Sequence, residues 1–237
     1  MKKSLLVLAY ALSTAAAFAG DVSKTEFLGF SADGGAVGFQ ESGTQDGSGF
    51  PYCSIMIVDT KKNKYIASST VQIEREVEVD GEEKACVKAR AKSNVKKALA
   101  KLKLSTRRGL KNFERLITDE AGANAMKVRF ATYPSTSGNF SEEVTLTETN
   151  TGAQDEMGVD LKKMTLTLSS ENGKSVKVLQ QDVSLPPSRS RAIGYELESG
   201  YSFETAMTSV QVIVVRVHKT GFEGPDVRAM IVSGTRN

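Results

Sequence analysis

The sequence predicts a mainly β protein of antiparallel sheets, sandwich or curved-sheet in type, interrupted by an amphipathic helical segment and therefore α+β by composition. Three observations carry this. Apolar and polar residues alternate with period two over several short runs before residue 60 and again after residue 124. Helical periodicity is confined to one stretch around residues 82–118. The composition, 40% hydrophobic and 25% charged, is that of a globular chain with no low-complexity block.

The chain opens with the parts of a secretory signal in working order: Lys2 and Lys3, an apolar stretch from Leu5, and the small-residue site Ala17-Phe18-Ala19. Cleavage is expected after Ala19. Ser13 and Thr14 interrupt the apolar stretch, which falls short of the roughly 20 residues that span a bilayer, so a cleaved signal is preferred to a retained anchor. No later segment has the length of a membrane span; the longest apolar run, Val210 and Val212 to Val215 around Gln211, is strand-sized. The expected organisation is a signal peptide, residues 1–19, followed by one β-rich domain, residues 20–237. The expected location is the periplasm or the medium.

Ala36 to Glu41 and Ser54 to Asp59 alternate as two antiparallel strands joined by the Gly-rich stretch Ser42 to Pro51. Val71 to Asp80 is the most regular run: Val71, Ile73, Val77 and Val79 share one face, and Gln72, Glu74, Glu76, Glu78 and Asp80 the other. Asp80 then stands three residues before Glu83, the spacing of a capping box, and predicts a helix start. From there Val87, Ala91, Val95, Ala98, Leu99 and Leu102 form one apolar stripe. Ser105 or Thr106 is placed to cap a second helix with Leu110, Phe113, Leu116 and Ile117 inside and Gly122 at its end. Strands resume at Val144 to Thr147 and Met164 to Leu168. Asn172-Gly173 is a hairpin signal before Val176 to Leu179, and further strands follow at Ile193 to Leu197, Val210 to His218 and Val227 to Val232.

Both cysteines, Cys53 and Cys86, belong to the exported part, where a disulfide is permitted. The sequence leaves open whether they are bridged or are two separately buried thiols, because it does not place their Cα atoms within the 4.4–6.8 Å a bridge needs.

Charge is segregated. Between Lys84 and Arg115 there are 12 Lys or Arg and one acid, Glu114, a local +11. Loss of residues 1–19 removes two lysines from the formal +3 and leaves +1, so the rest of the exported chain carries −10. Lys92, Lys96, Lys97, Lys101, Lys103, Arg107 and Arg108 are the candidate binding residues, suited to an anionic envelope component or an acidic protein face. Export excludes nucleic acid as the expected partner. The competing structural reading is a solvated helix, or one whose lysines pair internally with Glu74, Glu76 and Glu78.

Catalytic signals are sparse. His218 is the only histidine, and no Gly-x-Ser-x-Gly, His-x-x-x-His or Cys-x-x-Cys pattern occurs. A hydrolase of unfamiliar type around His218, Glu223 and Cys53 is the alternative to a non-catalytic role, set against a plain histidine at a strand end on the surface. Gly47-Ser48-Gly49 lacks the third glycine and the helix of a phosphate cradle. Asp33, Asp46 and Asp59 lack EF-hand spacing, and Asp33 and Asp46 are explained by turns. No metal and no cofactor is expected.

Phe27-Leu28-Gly29-Phe30-Ser31-Ala32-Asp33-Gly34-Gly35, then Gly47-Ser48-Gly49-Phe50-Pro51-Tyr52 and Asp59, and near the end Gly221-Phe222-Glu223-Gly224-Pro225-Asp226-Val227-Arg228, resemble a family of bacterial predicted secreted proteins of unknown function. The resemblance implies export and a shared fold and brings no catalytic residues with it. The opening segment also looks like one hairpin of a TolB-type propeller blade, with Ala32 where that turn usually has proline. No repeat at the blade period of about 40 residues supports a complete propeller.

Overall fold

A computed structural model describes residues 20–74, 80–114, 125–131, 141–170, 175–205, 209–221 and 224–236. The expected signal peptide lies outside them, as do Glu76, Val77, Glu78, Val79, Arg115, Leu116, Ile117, Gly122, Asn172-Gly173, Phe222 and Glu223.

Three four-stranded antiparallel sheets form the frame. The first is a meander of β1 (Lys24–Phe30), β2 (Ala36–Thr44), β3 (Pro51–Asp59) and β4 (Lys64–Gln72). Helices α1 (Gly81–Ala91) and α2 (Ser93–Leu102) follow, then β5 (Leu110–Glu114). A second meander contains β6 (Ala125–Ala131), β7 (Ser141–Gln154), β8 (Asp160–Ser170) and β9 (Val176–Gln181). The third sheet has the order β12-β11-β10-β5, with β10 (Ala192–Glu204), β11 (Ser209–Thr220) and β12 (Pro225–Arg236). The mainly β expectation is met, and the described strands on either side of the Asn172-Gly173 signal pair antiparallel, Ser169 opposite Val176.

The third sheet is central, and its β11 sequence shows why. Val210, Val212 and Val214 pack with Phe30, Val37, Phe39 and Met56 of the first sheet. The intervening Ile213, Val215 and Val217 pack with Val144, Leu146, Leu166 and Leu168 of the second. A strand covered on both faces must be apolar in both registers, which is why the run around Gln211 does not alternate. The sheets are stacked in this way, and the helices cover the outer face of the first one: Cys53, Ile55 and Ile57 of β3 meet Ala85, Cys86, Ala89 and Val95. No propeller arrangement is present among the described strands.

Several local expectations are corrected. Asp80 makes no side-chain cap bond; its carboxylate pairs with Lys84 Nζ at 3.0 Å instead. Glu82 turns to the hydroxyls of Ser42 and Thr44. The single helix expected to Leu102 is broken at Lys92, whose backbone is extended (φ −58°, ψ 132°). Each half therefore sets its own phase. Val95 is buried and Ala98, Leu99 and Leu102 pack beside it, but Val87 is 61% exposed because small Ala85, Cys86 and Ala89 form the inner face of α1.

Over the described residues 105–114 the second helix does not form. Gly109 has φ +88° and no room for a Cβ beside the Phe30 ring and Ser202 O, so the chain turns there and enters β5. Phe113 then sits opposite Gly200 of β10. Of the strand expected at Val71–Asp80, Val71 and Gln72 are the end of β4, and Val71 and Ile73 face the helical cluster; residues 75–79 lie outside the described residues.

Candidate functional site

The lysines of α2 occupy its outer face because Val95 and Leu99 take the inner one. Lys92, Lys96, Lys97 and Lys101 are exposed. The fold anchors this face from below: Asn94 Nδ2 donates to Ser68 O at 2.9 Å, and Ser69 Oγ donates to Ala89 O at 2.9 Å. Cys53 and Cys86 are at disulfide distance, with Cα atoms 4.9 Å apart and a sequence separation of 33, and they join α1 to β3. No carboxylate among the described residues lies within 4.0 Å of the side chains of Lys92, Lys96, Lys97, Lys101, Lys103 or Arg107. Glu74, one of the acids expected to pair with them, is exposed past the end of β4; Glu76 and Glu78 lie outside the described residues.

Arg108 does not belong to this open face. It is half-buried and donates to Lys103 O at 2.8 Å and Phe30 O at 3.3 Å, so it clamps the turn after α2 onto the end of β1. Lys103 itself closes α2 in the left-handed conformation, φ +46°.

Of the three residues of the hydrolase alternative, the two that are described, Cys53 and His218, lie on different sheets. Cys53 faces the helices and is paired with Cys86, which leaves it no thiolate to act as nucleophile. His218 is inside β11 and fully buried, not at the surface, with Nε2 3.6 Å from Glu196 Oε2. Glu223 is outside the described residues. Of the aspartates, Asp33 accepts from Ser31 Oγ and the Gly35 amide, and Asp59 from the amides of Lys61 and Lys62. Both therefore stabilise turns.

Composition and periodicity did not point to the ionic seams on either face of the central sheet. Toward the first sheet, fully buried Arg216 of β11 has Nε 2.6 Å from Glu198 Oε2, off the hydrogen-bond axis, and Nη1 2.7 Å from Ser23 Oγ and 3.8 Å from Glu41 Oε1. Burial pushes the Glu198 carboxyl above its usual range despite Arg216, and it pulls the Arg216 guanidinium down despite Glu198 and Glu41. Alongside, Asp21 is bonded by Arg228 and by the Tyr52 hydroxyl, with Arg228 over the Tyr52 ring at 4.5 Å. Burial raises both Asp21 and Tyr52.

Toward the second sheet the pairing is more complete. Arg189 and Asp182 form a two-pronged pair at 2.5 and 2.6 Å. Lys162 meets Glu148 at 2.7 Å, and the other Glu148 oxygen accepts the Tyr195 amide. Burial opposes the charge on Arg189, but Asp182 more than restores it and its pKa is raised. The sequence signal for these seams is an ion inside an apolar strand: Arg216 within Val212 to Val217, and Glu196 and Glu198 on either side of Leu197.

Among the described residues no helix is long and apolar enough to cross a membrane. Residues 38–235 match a family model described as "Predicted secreted protein (DUF2259)". A search of curated proteins found no match.

Proposed function

We propose, from the premise that this chain belongs to the DUF2259 family of predicted secreted proteins, that residues 1–19 direct export and are removed, and that residues 20–237 act as a single non-catalytic binding protein in the envelope or medium. The contact face is the basic side of the helices: Lys92, Lys96, Lys97 and Lys101, extended by Lys103 and Arg107. One observation carries this reading: these cations are exposed and have no carboxylate partner among the described residues. A cluster of hydrated ammonium groups on a helix held firmly to a sheet attracts anionic groups at long range and is screened by salt.

The chemistry sought is phosphate or carboxylate presented in multiple copies, as on anionic lipid headgroups, an acidic polysaccharide or an acidic protein face. Retention of the exported chain on envelope fractions at low salt tests it, with vesicles of anionic and of zwitterionic lipid run in parallel to separate the sources. Reversal of Lys92, Lys96, Lys97 and Lys101 to Glu is expected to abolish retention. Unchanged retention of that variant refutes the contact face.

A further inference from the structure

The first and third sheets stack out of step by one strand. Tyr52 of β3 lies 4.5 Å from the Arg228 guanidinium of β12, Glu41 of β2 is 3.8 Å from Arg216 of β11, and the Phe27 ring of β1 stacks on Tyr201 of β10 at 4.3 Å. The first sheet ends at β1, whereas the third continues past β10 to β5. Beside the outer edge of β1 there is accordingly a cleft of ~370 Å³, lined by Thr25, Glu26 and Phe27 of β1, Lys111 and Glu114 of β5, and Glu198 of β10. The chain itself begins a strand at this place and leaves it. Ser105 pairs antiparallel with Phe30: the Phe30 amide donates to Ser105 O at 3.3 Å and the Ser105 amide to Phe30 O at 3.0 Å. Gly109, at φ +88°, then turns the chain into β5. Elsewhere the sheet edges are capped by side chains. On β12, Glu41 accepts the Ala229 amide, Asn63 the Ser233 amide, and Lys177 donates to Thr235 O. On β4, Asn94 donates to Ser68 O. Along Lys24–Phe27 no such cap is found among the described residues.

We infer that the outer edge of β1 accepts a strand: an extended, Lys- or Arg-bearing peptide segment of a partner protein that adds alongside Lys24–Phe27 and lies over β5. A sheet edge offers its outward N–H and C=O groups to an incoming strand, which gives affinity, and the flanking side chains give selection. The bulge between Phe27 and Gly29 bounds the pairing run on one side. Charge selects the occupant. The cleft holds three carboxylates, Glu26, Glu114 and Glu198, against one ammonium, Lys111. Glu198 is 8% exposed and has Arg216 Nε behind it at 2.6 Å, a cation it shares with Glu41. Lys111 shows what a cation meets in the cleft: Glu114 at 2.6 Å and the Tyr201 ring at 6.0 Å. Burial opposes its charge, yet Glu114, Tyr201 and Glu198 together raise its pKa. Glu26 stands at the rim with its side chain 62% exposed and Arg90 no closer than 4.0 Å, within reach of a basic side chain on the occupant. This site is separate from the lysine face and selects the opposite charge.

The probe is a phage-displayed library of random short peptides selected on the immobilised full chain, with the selected peptides then synthesised. They are expected to include a Lys- or Arg-bearing class that, when bound, slows hydrogen exchange at residues 24–27 and leaves residues 81–102 unchanged. Glu26→Lys combined with Glu114→Lys, both at exposed side chains, is expected to weaken that class at least ~10-fold. Reversal of Lys92, Lys96, Lys97 and Lys101 to Glu is expected to leave it bound, which keeps this test apart from that of the lysine face. Far-ultraviolet circular dichroism checks each fold, and if the double variant misfolds, weakening of the same peptides by added salt is read on the unaltered chain. Selected peptides none of which protects residues 24–27, or a library that yields no binder, overturn the inference. Peptides that protect residues 24–27 but carry no basic residue, or that bind the double variant as tightly, overturn the assignment of the occupant.

Discussion

Two sets of cations in this molecule stand in contrast. Inside, Arg189, Arg216, Arg228 and Lys162 each sit beside a carboxylate: Asp182, Glu198, Asp21 and Glu148. On the helices, Lys92, Lys96, Lys97 and Lys101 have none among the described residues. The first population is committed to the fold, where an ion must be paired or it is expelled. The second has no carboxylate beside it among the described residues, and the function proposed above gives it a partner instead. Net charge conceals the difference, because the formal +3 averages a basic helical layer against an acidic remainder.

The largest expected effect comes from breaking the inner population. Arg216→Met strands Glu198 and Glu41 without their shared cation and is expected to cost about 3–5 kcal/mol in a urea unfolding series, while retention on anionic envelope material, read on the variant that remains folded, stays intact. Close behind is the link beneath the lysine face. Replacing Cys53 and Cys86 together by Ser frees a 33-residue loop and is expected to lower unfolding free energy by about 3–4 kcal/mol on the chain-entropy account.

Acidity sharpens the comparison further. Glu198, Asp21 and Glu148 are all raised, chiefly by burial. Such groups take up protons on folding, so their contribution to stability grows as pH falls from their folded values toward the usual carboxylate range near about 4. Asp33 and Asp155 have the opposite sign: hydrogen bonds, led by those from Ser31 and Thr220, lower them, and the stability they supply is lost as pH falls through their folded values. The unfolding midpoint is therefore expected to rise on moving from neutral to mildly acid buffer, then to drop in stronger acid. A midpoint that falls steadily from neutrality contradicts this reading of the seams.

How much of this was legible depended on whether periodicity alone decides the element. The strands expected at Ala36 to Glu41, Ser54 to Asp59 and Met164 to Leu168 lie within β2, β3 and β8; in β8 one buried face fixes a period of two, whereas β2 and β3 are buried on both faces, the outer one under the helices. Residues 105–114 failed because Leu110 and Phe113 satisfy helical spacing as well as a short strand, and Gly109 and pairing with β10 decide for the strand. The break at Lys92 carries no glycine or proline to announce it. For the site, the lysines were visible as a charge run, whereas the clamp role of Arg108 depends on Phe30, 78 residues away, contact that only folding creates. The partners of Arg216 are likewise distant in sequence: Glu198 on the neighbouring strand and Ser23 and Glu41 across the sheet interface.

The smallest expected effect on stability comes from the outer population. Reversing Lys92, Lys96, Lys97 and Lys101 to Glu removes no described ion pair and is expected to change unfolding free energy by less than about 1 kcal/mol. That variant also gives the most direct measurement: its retention on envelope fractions at low salt, read beside its unfolding midpoint. Lost retention at an unchanged midpoint is the predicted result. Full retention, at whatever midpoint, contradicts the assignment of the lysine face as the contact surface.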